Sequence, residues 1–228
     1  MLVLENGSRR DLGTLVGEPM REAGLEVVQW WAFGGQFPDS LDGYVGLLLS
    51  GSPHGAYENL PFIQREHTLI REAANAGLPM LGVCFGSQIL ASALCGRDQV
   101  FRRETCDVGF KPHTVSTIAS TDPVCRGLDD GFSMFVWHND EVRHDHPDVA
   151  VIASTEECPN QIWRHRELPA WGIQGHLEIT RTGAPAWFEA RRERLEADGA
   201  DVDSLIRETH DAPTAKTMLA NFIDSVSR

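Results

Sequence analysis

The chain has 228 residues, of which 42% are apolar and 23% charged, and its formal net charge is -13. Chains of this length commonly form one domain, so we expect a single domain over residues 1–228. The negative charge repels phosphate groups, which argues against nucleic acid and anionic membranes as partners. Five cysteines without framework spacing, and a start directly in the strand-like Met1 to Leu4 without a leader, predict a cytoplasmic location.

Short apolar runs alternate with helix-like stretches over the first third of the chain. The predicted strands are Leu2 to Leu4, Glu26 to Trp30, Tyr44 to Leu49 and Pro79 to Val83. The clearest helix is Pro61 to Ala76, with a proline in its first turn and Gly77 at the C′ position. This alternation predicts an α/β fold with a doubly wound, mostly parallel sheet that is covered by helices on both faces.

From Phe110 to Trp171 the pattern changes to brief strands joined by short turns. The predicted strands here are Thr114 to Ile118, Phe132 to Val136, Val149 to Ala153 and Gln161 to Arg164. We therefore expect a small antiparallel extension of the sheet.

The region from Pro185 to Arg228 predicts terminal helices, with breaks around Asp198 to Asp201 and at Pro213. Basic and acidic residues alternate near its start: Arg191, Arg192 and Arg194 with Glu189, Glu193 and Glu196. Such alternation is typical of a solvated helix face, and we interpret it so.

Cys84 lies in Gly82-Val83-Cys84-Phe85-Gly86, between a predicted strand and a helix-like stretch. Glycine two residues on either side permits a sharp strand-to-helix turn, which would project the thiol from the carboxyl edge of the sheet. Unpaired N–H groups of the first helical turn could then receive an oxyanion. For an isolated cysteine after an apolar run, the alternative is a buried, inert core residue.

His176-Leu177-Glu178 follows the predicted strand Trp171 to Gly175. In an extended chain, residues two apart point the same way, so we expect Glu178 to orient His176 and stabilise its imidazolium. A histidine near Cys84 can take the thiol proton and later protonate a leaving amine. Alone, the same pattern would also fit a salt-bridged surface strand.

The turn Ser50-Gly51-Ser52-Pro53 stands at the carboxyl end of another predicted strand. Ligands of open α/β sheets bind at such ends, so this turn can lie beside Cys84 and supply a backbone N–H. An ordinary connecting loop is the alternative.

Taken in order, these three motifs resemble the class I glutamine amidotransferase family, the triad-type glutaminase domain, over about residues 40 to 180. The family pattern at the elbow is G-x-C-x-G-H-Q. The resemblance implies that Cys84 is the nucleophile that forms a γ-glutamyl thioester, with His176 as its base and Glu178 behind the histidine. It also implies an oxyanion hole made by the N–H groups of Ser52 and Phe85. Gly51 would shape that turn.

The resemblance further implies a substrate site. Gln88 would help to hold the substrate, and the backbone of Trp137 to Val142, which includes His138 and Asn139, would receive its α-amino end. The segment Asp107 to Phe110 resembles the family's E-x-G-W. We expect no cofactor. We expect no metal either, because the nearby histidines and cysteines lack the spacing of zinc ligands.

Four positions depart from the family pattern without removing a triad member: Ser52, Ser87, Gly175 and Leu177. The turn Ser50 to Tyr57 is closer to free-standing members of the γ-glutamyl peptidase kind than to GMP synthases. The expected substrate is glutamine or a γ-glutamyl compound, and since the chain has no room for a synthetase domain, an ammonia-using partner would be a separate chain.

Two alternatives stay open. One is a γ-glutamyl peptidase or hydrolase that acts without a synthetase. The other is a non-catalytic binding or regulatory subunit, which Ser87 and Gly175 motivate. A sulfur-redox protein ranks last because the chain lacks C-x-x-C.

Overall fold

A computed structural model describes residues 1–8 and 11–227. Its strands are β1 (Leu2–Leu4), β2 (Val28–Trp30), β3 (Leu47–Leu49), β4 (Met80–Val83), β5 (Val100–Pro112), β6 (Thr114–Val115), β7 (Ser133–Val142), β8 (Val149–Ser154), β9 (Ile162–His165) and β10 (Ala170–Ile173). Its helices are α1 (Asp11–Glu22), α2 (Pro61–Asn75), α3 (Phe85–Leu94), α4 (Ala184–Glu189), α5 (Arg192–Ala197), α6 (Val202–Arg207) and α7 (Pro213–Val226).

The central sheet has the strand order β2-β1-β3-β4-β10-β9-β8-β6. The first five of these strands pair in parallel, and the last three continue the sheet with antiparallel pairing. Strands β5 and β7 form a separate antiparallel ribbon. The predicted α/β fold, with its mostly parallel sheet and antiparallel extension, is confirmed.

Both faces of β1, β3, β4 and β10 are buried. Val3, Leu48 and Leu81 face one apolar cluster, which also contains residues of α1 and α7. Their neighbours Leu2 and Leu47 face the opposite cluster, which contains residues of α2 and α3. Since alternate residues of a strand point to opposite faces, a strand covered on both sides has a continuous apolar run, as the sequence shows.

The structure corrects several predicted boundaries. The antiparallel region begins at Val100, not Phe110, because β5 is a half-exposed strand whose polar residues hide its pattern. The predicted strand Thr114 to Ile118 is only two residues long and is followed by a 3-10 helix at Thr117–Thr121. Strand β10 ends at Ile173, so His176 and Glu178 are not in extended chain.

Helices α4, α5 and α6 form what we call the C-terminal cap. An apolar cluster that includes Phe188, Leu195 and Leu205 packs it against Phe135 of the β5–β7 ribbon. This packing sets the cap beside the carboxyl end of β10. Within the described part of the chain, no helix has both the length and the apolar character needed to cross a bilayer.

Candidate active site

Cys84 occupies the sharp turn between β4 and α3. Its φ is 54° and its ψ is -111°, and no other non-glycine residue among 1–8 and 11–227 has a positive φ. A strained backbone of this kind costs on the order of 1–3 kcal/mol and persists only where its surroundings hold it. The structure thus has the strand-to-helix elbow that the glycine spacing predicts.

Close packing explains why glycines flank the elbow. A Cβ added to Gly82 would collide with the backbone of Gly86, and a Cβ added to Gly86 would collide with the carbonyl of Leu49. Backbone atoms cannot turn aside as a flexible side chain can, so a larger residue at either position would displace a strand or a helix. The two glycines therefore bring α3 and β3 close to Cys84.

His176 and Glu178 form a buried pair just beyond β10. His176 Nδ1 lies 2.5 Å from Glu178 Oε1, and the two side chains are 8% and 11% exposed. The backbone N–H of His176 donates to the Phe135 carbonyl at 2.9 Å, which ties this turn to β7. The predicted contact exists, but a turn produces it and not the strand alternation that the sequence suggested.

Cys84 and His176 lie on the same side of the sheet. The carbonyl oxygen of Trp137 is 3.7 Å from Cys84 Sγ and 3.5 Å from His176 Nε2. Nδ1 of the histidine faces Glu178, so Nε2 is the nitrogen directed at the sulfur. Both side chains line one cleft, and Cys84 is among the groups that raise the pKa of His176, which is the placement expected of a thiol and its base.

Burial disfavours a charged His176, but the negative charges of Glu178 and of the Cys84 thiolate, with hydrogen bonds to both, raise the pKa of His176 well above its ordinary value. Burial also acts to raise the pKa of Glu178, yet the imidazolium and the Arg191 charge hold that pKa below its usual range. The site therefore favours an imidazolium that faces a carboxylate.

The turn after β3 reaches the same place. A Cβ added to Gly51 would lie 3.7 Å from Cys84 Cβ, so the predicted oxyanion turn is next to the nucleophile. Phe85 is the first residue of α3, and N–H groups of a first helical turn have no acceptor within the helix. Phe85 as a whole is 1% exposed and does not line the cleft, so only its backbone N–H, at the start of α3 beside Cys84, is available to the site.

These groups surround a cleft of about 350 Å³. The predicted site residues that line it are Gly51, Ser52, Cys84, Gln88, His138, Asn139, His176 and Glu178. The cleft is partly polar and lies at the carboxyl ends of β3 and β4, as expected for an open α/β sheet.

Two of the predicted substrate contacts are engaged within the protein. Gln88 Nε2 donates to the Asp140 carbonyl at 3.0 Å and to Gln174 Oε1 at 3.2 Å. The His138 imidazole is buried, with Nε2 3.2 Å from Asp107 Oδ2. These bonds fix the backbone of β7 where it borders the cleft.

Ser87 and Gly175, the departures that suggested an altered pocket, have structural explanations. Ser87 Oγ accepts a hydrogen bond from Trp163 Nε1 at 2.8 Å and does not line the cleft. A Cβ on Gly175 would collide with the side chain of Met134, which fills the space that a larger residue at this position would need. Neither change alters the wall beside Cys84.

The cap contributes cleft residues that the sequence analysis did not identify: Trp187, Arg191, Arg194 and Asp198. Our interpretation of a solvated face is right for Arg192, which bonds Glu189 and Asp203 on the surface, and for Arg194, whose side chain is 58% exposed although it borders the cleft. It is wrong for Arg191, which stacks on Trp187 beside Glu178. Arg191 lies in the break between α4 and α5, where its side chain reaches the cleft. The four-residue spacing of Trp187 and Arg191, whose side chains stack at 4.0 Å, was the available signal.

Among the described residues, no three histidine, cysteine or acidic side chains are grouped as a metal site would require.

A family model described as glutamine amidotransferase class-I matches residues 17–191, well over half of the chain. The chain belongs to the class I glutamine amidotransferase family. The resemblance drawn from three motifs is thereby confirmed.

Curated relatives of this amidotransferase include GMP synthases. The glutamine-hydrolyzing GMP synthase of Porphyromonas gingivalis is 33% identical over 145 residues, which are 63% of this chain and 27% of that relative. A glutamine-hydrolyzing GMP synthase subunit of Pyrococcus abyssi is 29% identical over 137 residues, which are 60% of this chain and 68% of that relative. The chain thus spans about 27% of the first relative's length.

Solved structures share the fold over nearly the whole chain. A glutamine amidotransferase from Thermotoga maritima superimposes with a TM-score of 0.86 at 24% identity and covers 100% of this chain and 97% of that one. A glutamine amidotransferase from Methylobacillus flagellatus gives 0.78 at 21% identity, over 99% of this chain and 92% of that one. At these identities the agreement concerns the fold alone.

Proposed function

We propose that this amidotransferase hydrolyses the γ-amide of glutamine, or of a γ-glutamyl compound, through a thioester on Cys84. The observation that carries the proposal is the approach of Cys84 and His176 to one carbonyl oxygen, at 3.7 and 3.5 Å, with Glu178 on the far side of the imidazole. A thiol, a base and an orienting carboxylate in this order form a nucleophilic triad.

In the first step, the Cys84 proton passes to His176 Nε2 and the sulfur attacks the amide carbon of the substrate. The N–H groups of Ser52 and Phe85 stabilise the resulting oxyanion. His176 then protonates the nitrogen, the C–N bond breaks and the amine leaves. Water, deprotonated by His176, hydrolyses the thioester and releases the γ-carboxylate.

Substrate binding is assigned to Gln88 and to the backbone at His138 and Asn139. All three residues line the cleft, and the hydrogen bonds of Gln88 and His138 hold β7 in one position. A fixed backbone presents N–H and carbonyl groups with little ordering cost, which suits recognition of an α-amino acid group.

A second candidate is a γ-glutamyl hydrolase with a leaving amine larger than ammonia. The cleft extends beyond the triad to Trp187 and Arg194 of the cap region, which ammonia release does not require. If ammonia is the product, a synthetase that uses it would be a separate chain, as the name of the Pyrococcus abyssi relative suggests.

The direct test is to assay purified protein against glutamine and a panel of γ-glutamyl amino acids, peptides and polyamines, with Cys84→Ala as the control. We expect hydrolysis of at least one compound, and no hydrolysis by the variant. A panel tested with and without a candidate synthetase separates a partner-dependent glutaminase from a free-standing hydrolase.

Covalent labelling tests the chemistry independently of substrate choice. A glutamine-analogue diazo-ketone should add to Cys84, as read by mass spectrometry of the peptide. If neither substrate turnover nor labelling occurs with any partner, the proposal is wrong and the chain is a non-catalytic binding subunit.

A further inference from the structure

A buried polar network lies directly behind the oxyanion turn. Glu66 on α2 and Asn6, just after β1, are 0% exposed, and Ser50, just after β3, is 4% exposed. The surrounding residues of α2, Ile63 and Ile70, belong to the apolar core. Polar side chains are costly in such a place, so their bonding partners need an explanation.

Successive hydrogen bonds of this network link α2 to the turn. Asn6 Nδ2 donates to Glu66 Oε1 at 2.8 Å and to the Ser50 carbonyl at 3.2 Å. The Asn6 backbone N–H donates to Ser50 Oγ at 2.8 Å. Ser50 Oγ in turn donates to the Gly51 carbonyl at 3.3 Å.

These bonds control the orientation of two successive peptide groups. A trans peptide is planar, and its C=O and N–H point in opposite directions. Holding the Ser50 carbonyl therefore sets the direction of the Gly51 N–H, and holding the Gly51 carbonyl sets that of the Ser52 N–H. Ser52 N–H is the donor assigned to the oxyanion hole.

We propose that Glu66 is a positioning residue for the reaction: through Asn6 and Ser50 it holds the Gly51–Ser52 peptide so that the Ser52 N–H faces the oxyanion. This inference rests on the proposed function. Glu66 touches neither the substrate nor Cys84, and it acts through the orientation of a backbone donor.

The protonation of Glu66 agrees with this role. Burial raises the pKa of Glu66 to about 8, despite the hydrogen bond from Asn6. The carboxyl group is therefore neutral at pH 7, so the hydrogen bond alone links it to Asn6. A neutral acceptor also avoids negative charge behind a site that must stabilise an oxyanion.

Three variants test the proposal. Glu66→Leu removes the acceptor for Asn6, and Ser50→Ala removes the bond to the Gly51 carbonyl. Glu66→Gln keeps an uncharged oxygen acceptor of the same shape. Two rates are measured on each protein: acylation of Cys84 by the best γ-glutamyl substrate of the wild type, and alkylation of Cys84 by iodoacetamide. Alkylation needs the nucleophile and its base, but no oxyanion hole.

We expect Glu66→Leu and Ser50→Ala to lower kcat/KM by about 10- to 100-fold, mainly through kcat, because a misdirected N–H weakens transition-state stabilisation. The rate of Cys84 alkylation should stay within about twofold of the wild-type rate. A twofold change is well below a tenfold one, which corresponds to about 1.4 kcal/mol. Glu66→Gln should retain most of the acylation rate.

Three outcomes would overturn the inference. Equal losses of acylation and alkylation would indicate general disruption of the site, and unchanged acylation in both Glu66→Leu and Ser50→Ala would show that the turn needs no support. A Glu66→Gln variant as impaired as Glu66→Leu would show that the acceptor is not what matters. If none of the tested γ-glutamyl substrates acylates Cys84 in the wild type, the proposed function itself is contradicted, which is a separate result.

Discussion

His176 Nδ1 lies 2.5 Å from Glu178 Oε1, within one turn and almost out of contact with solvent. The pair explains why the buried histidine stays protonated: the Glu178 carboxylate is the main group that raises the pKa of His176. The proton taken from a thiol can therefore stay on the imidazole until the leaving nitrogen needs it.

Glu178→Gln should lower kcat by at least about tenfold, because the amide keeps the hydrogen bond but removes the charge that stabilises the imidazolium. The pKa of His176, followed by NMR of its ring, should fall in the variant. Glu189→Gln, an exposed glutamate on α4, is the matched control and should change neither value. An unchanged His176 titration in Glu178→Gln would contradict this account.

Glu66 should make stability depend on pH. Its pKa is about 8 in the folded protein and 4.5 ordinarily, so the folded state holds the proton more tightly. The free energy of unfolding contributed by this group is fully present below pH 4.5 and is lost as pH rises toward 8. The Glu66→Gln variant has no titrating group at this position. The difference in free energy of unfolding between variant and wild type should therefore shift in favour of the variant by roughly 3 kcal/mol from pH 5 to pH 8.

Urea denaturation at several pH values checks this dependence. Glu72→Gln, at an exposed position of the same helix, should follow the wild-type curve. If the free energies of unfolding of the wild type and of Glu66→Gln change in parallel from pH 5 to pH 8, Glu66 is not a buried neutral acid.

Restoring the family histidine at position 87 should destabilise the protein and not activate it. Ser87 Oγ is bonded to Trp163 Nε1 at 2.8 Å, and the Gly172 Cα lies so close that even an added Cβ there would strike the serine. Ser87→His should cost about 1–3 kcal/mol of unfolding free energy, measured by thermal or urea denaturation. Ser92→Ala, on the same helix, should cost less. A stable Ser87→His protein with higher kcat would refute this interpretation.

Arg194 should affect large leaving groups more than small ones. Its Nε bonds Asp198 Oδ2 at 3.0 Å, and the same carboxylate oxygen accepts from Trp137 Nε1 at 3.0 Å, so the guanidinium is held at the cleft wall. Arg194→Gln should raise KM roughly tenfold for γ-glutamyl peptides that carry a free carboxylate, and leave KM for glutamine unchanged.

Arg192→Gln is the control for that experiment, since Arg192 does not line the catalytic cleft. It should leave both KM values unchanged. If Arg194→Gln and Arg192→Gln behave alike, the cap does not select the leaving group.

Much of the site could be predicted because its geometry is local. Gly82 and Gly86 permit the backbone at Cys84, and the turn is complete within five residues. The contact of His176 with Glu178 is equally short in sequence, although the sequence suggested a strand and the structure has a turn. Local motifs of this kind survive errors in element boundaries.

The sequence by itself determined the parallel sheet, the elbow and the family, because apolar periodicity and short-range backbone geometry are written in neighbouring residues. Only the tertiary structure decided which polar residues meet across the chain. Glu66 reaches Asn6 over 60 positions, and Arg191 of the cap acts on the buried Glu178 because the cap packs on the β5–β7 ribbon. Such contacts depend on how whole elements pack, and residue spacing does not encode that packing.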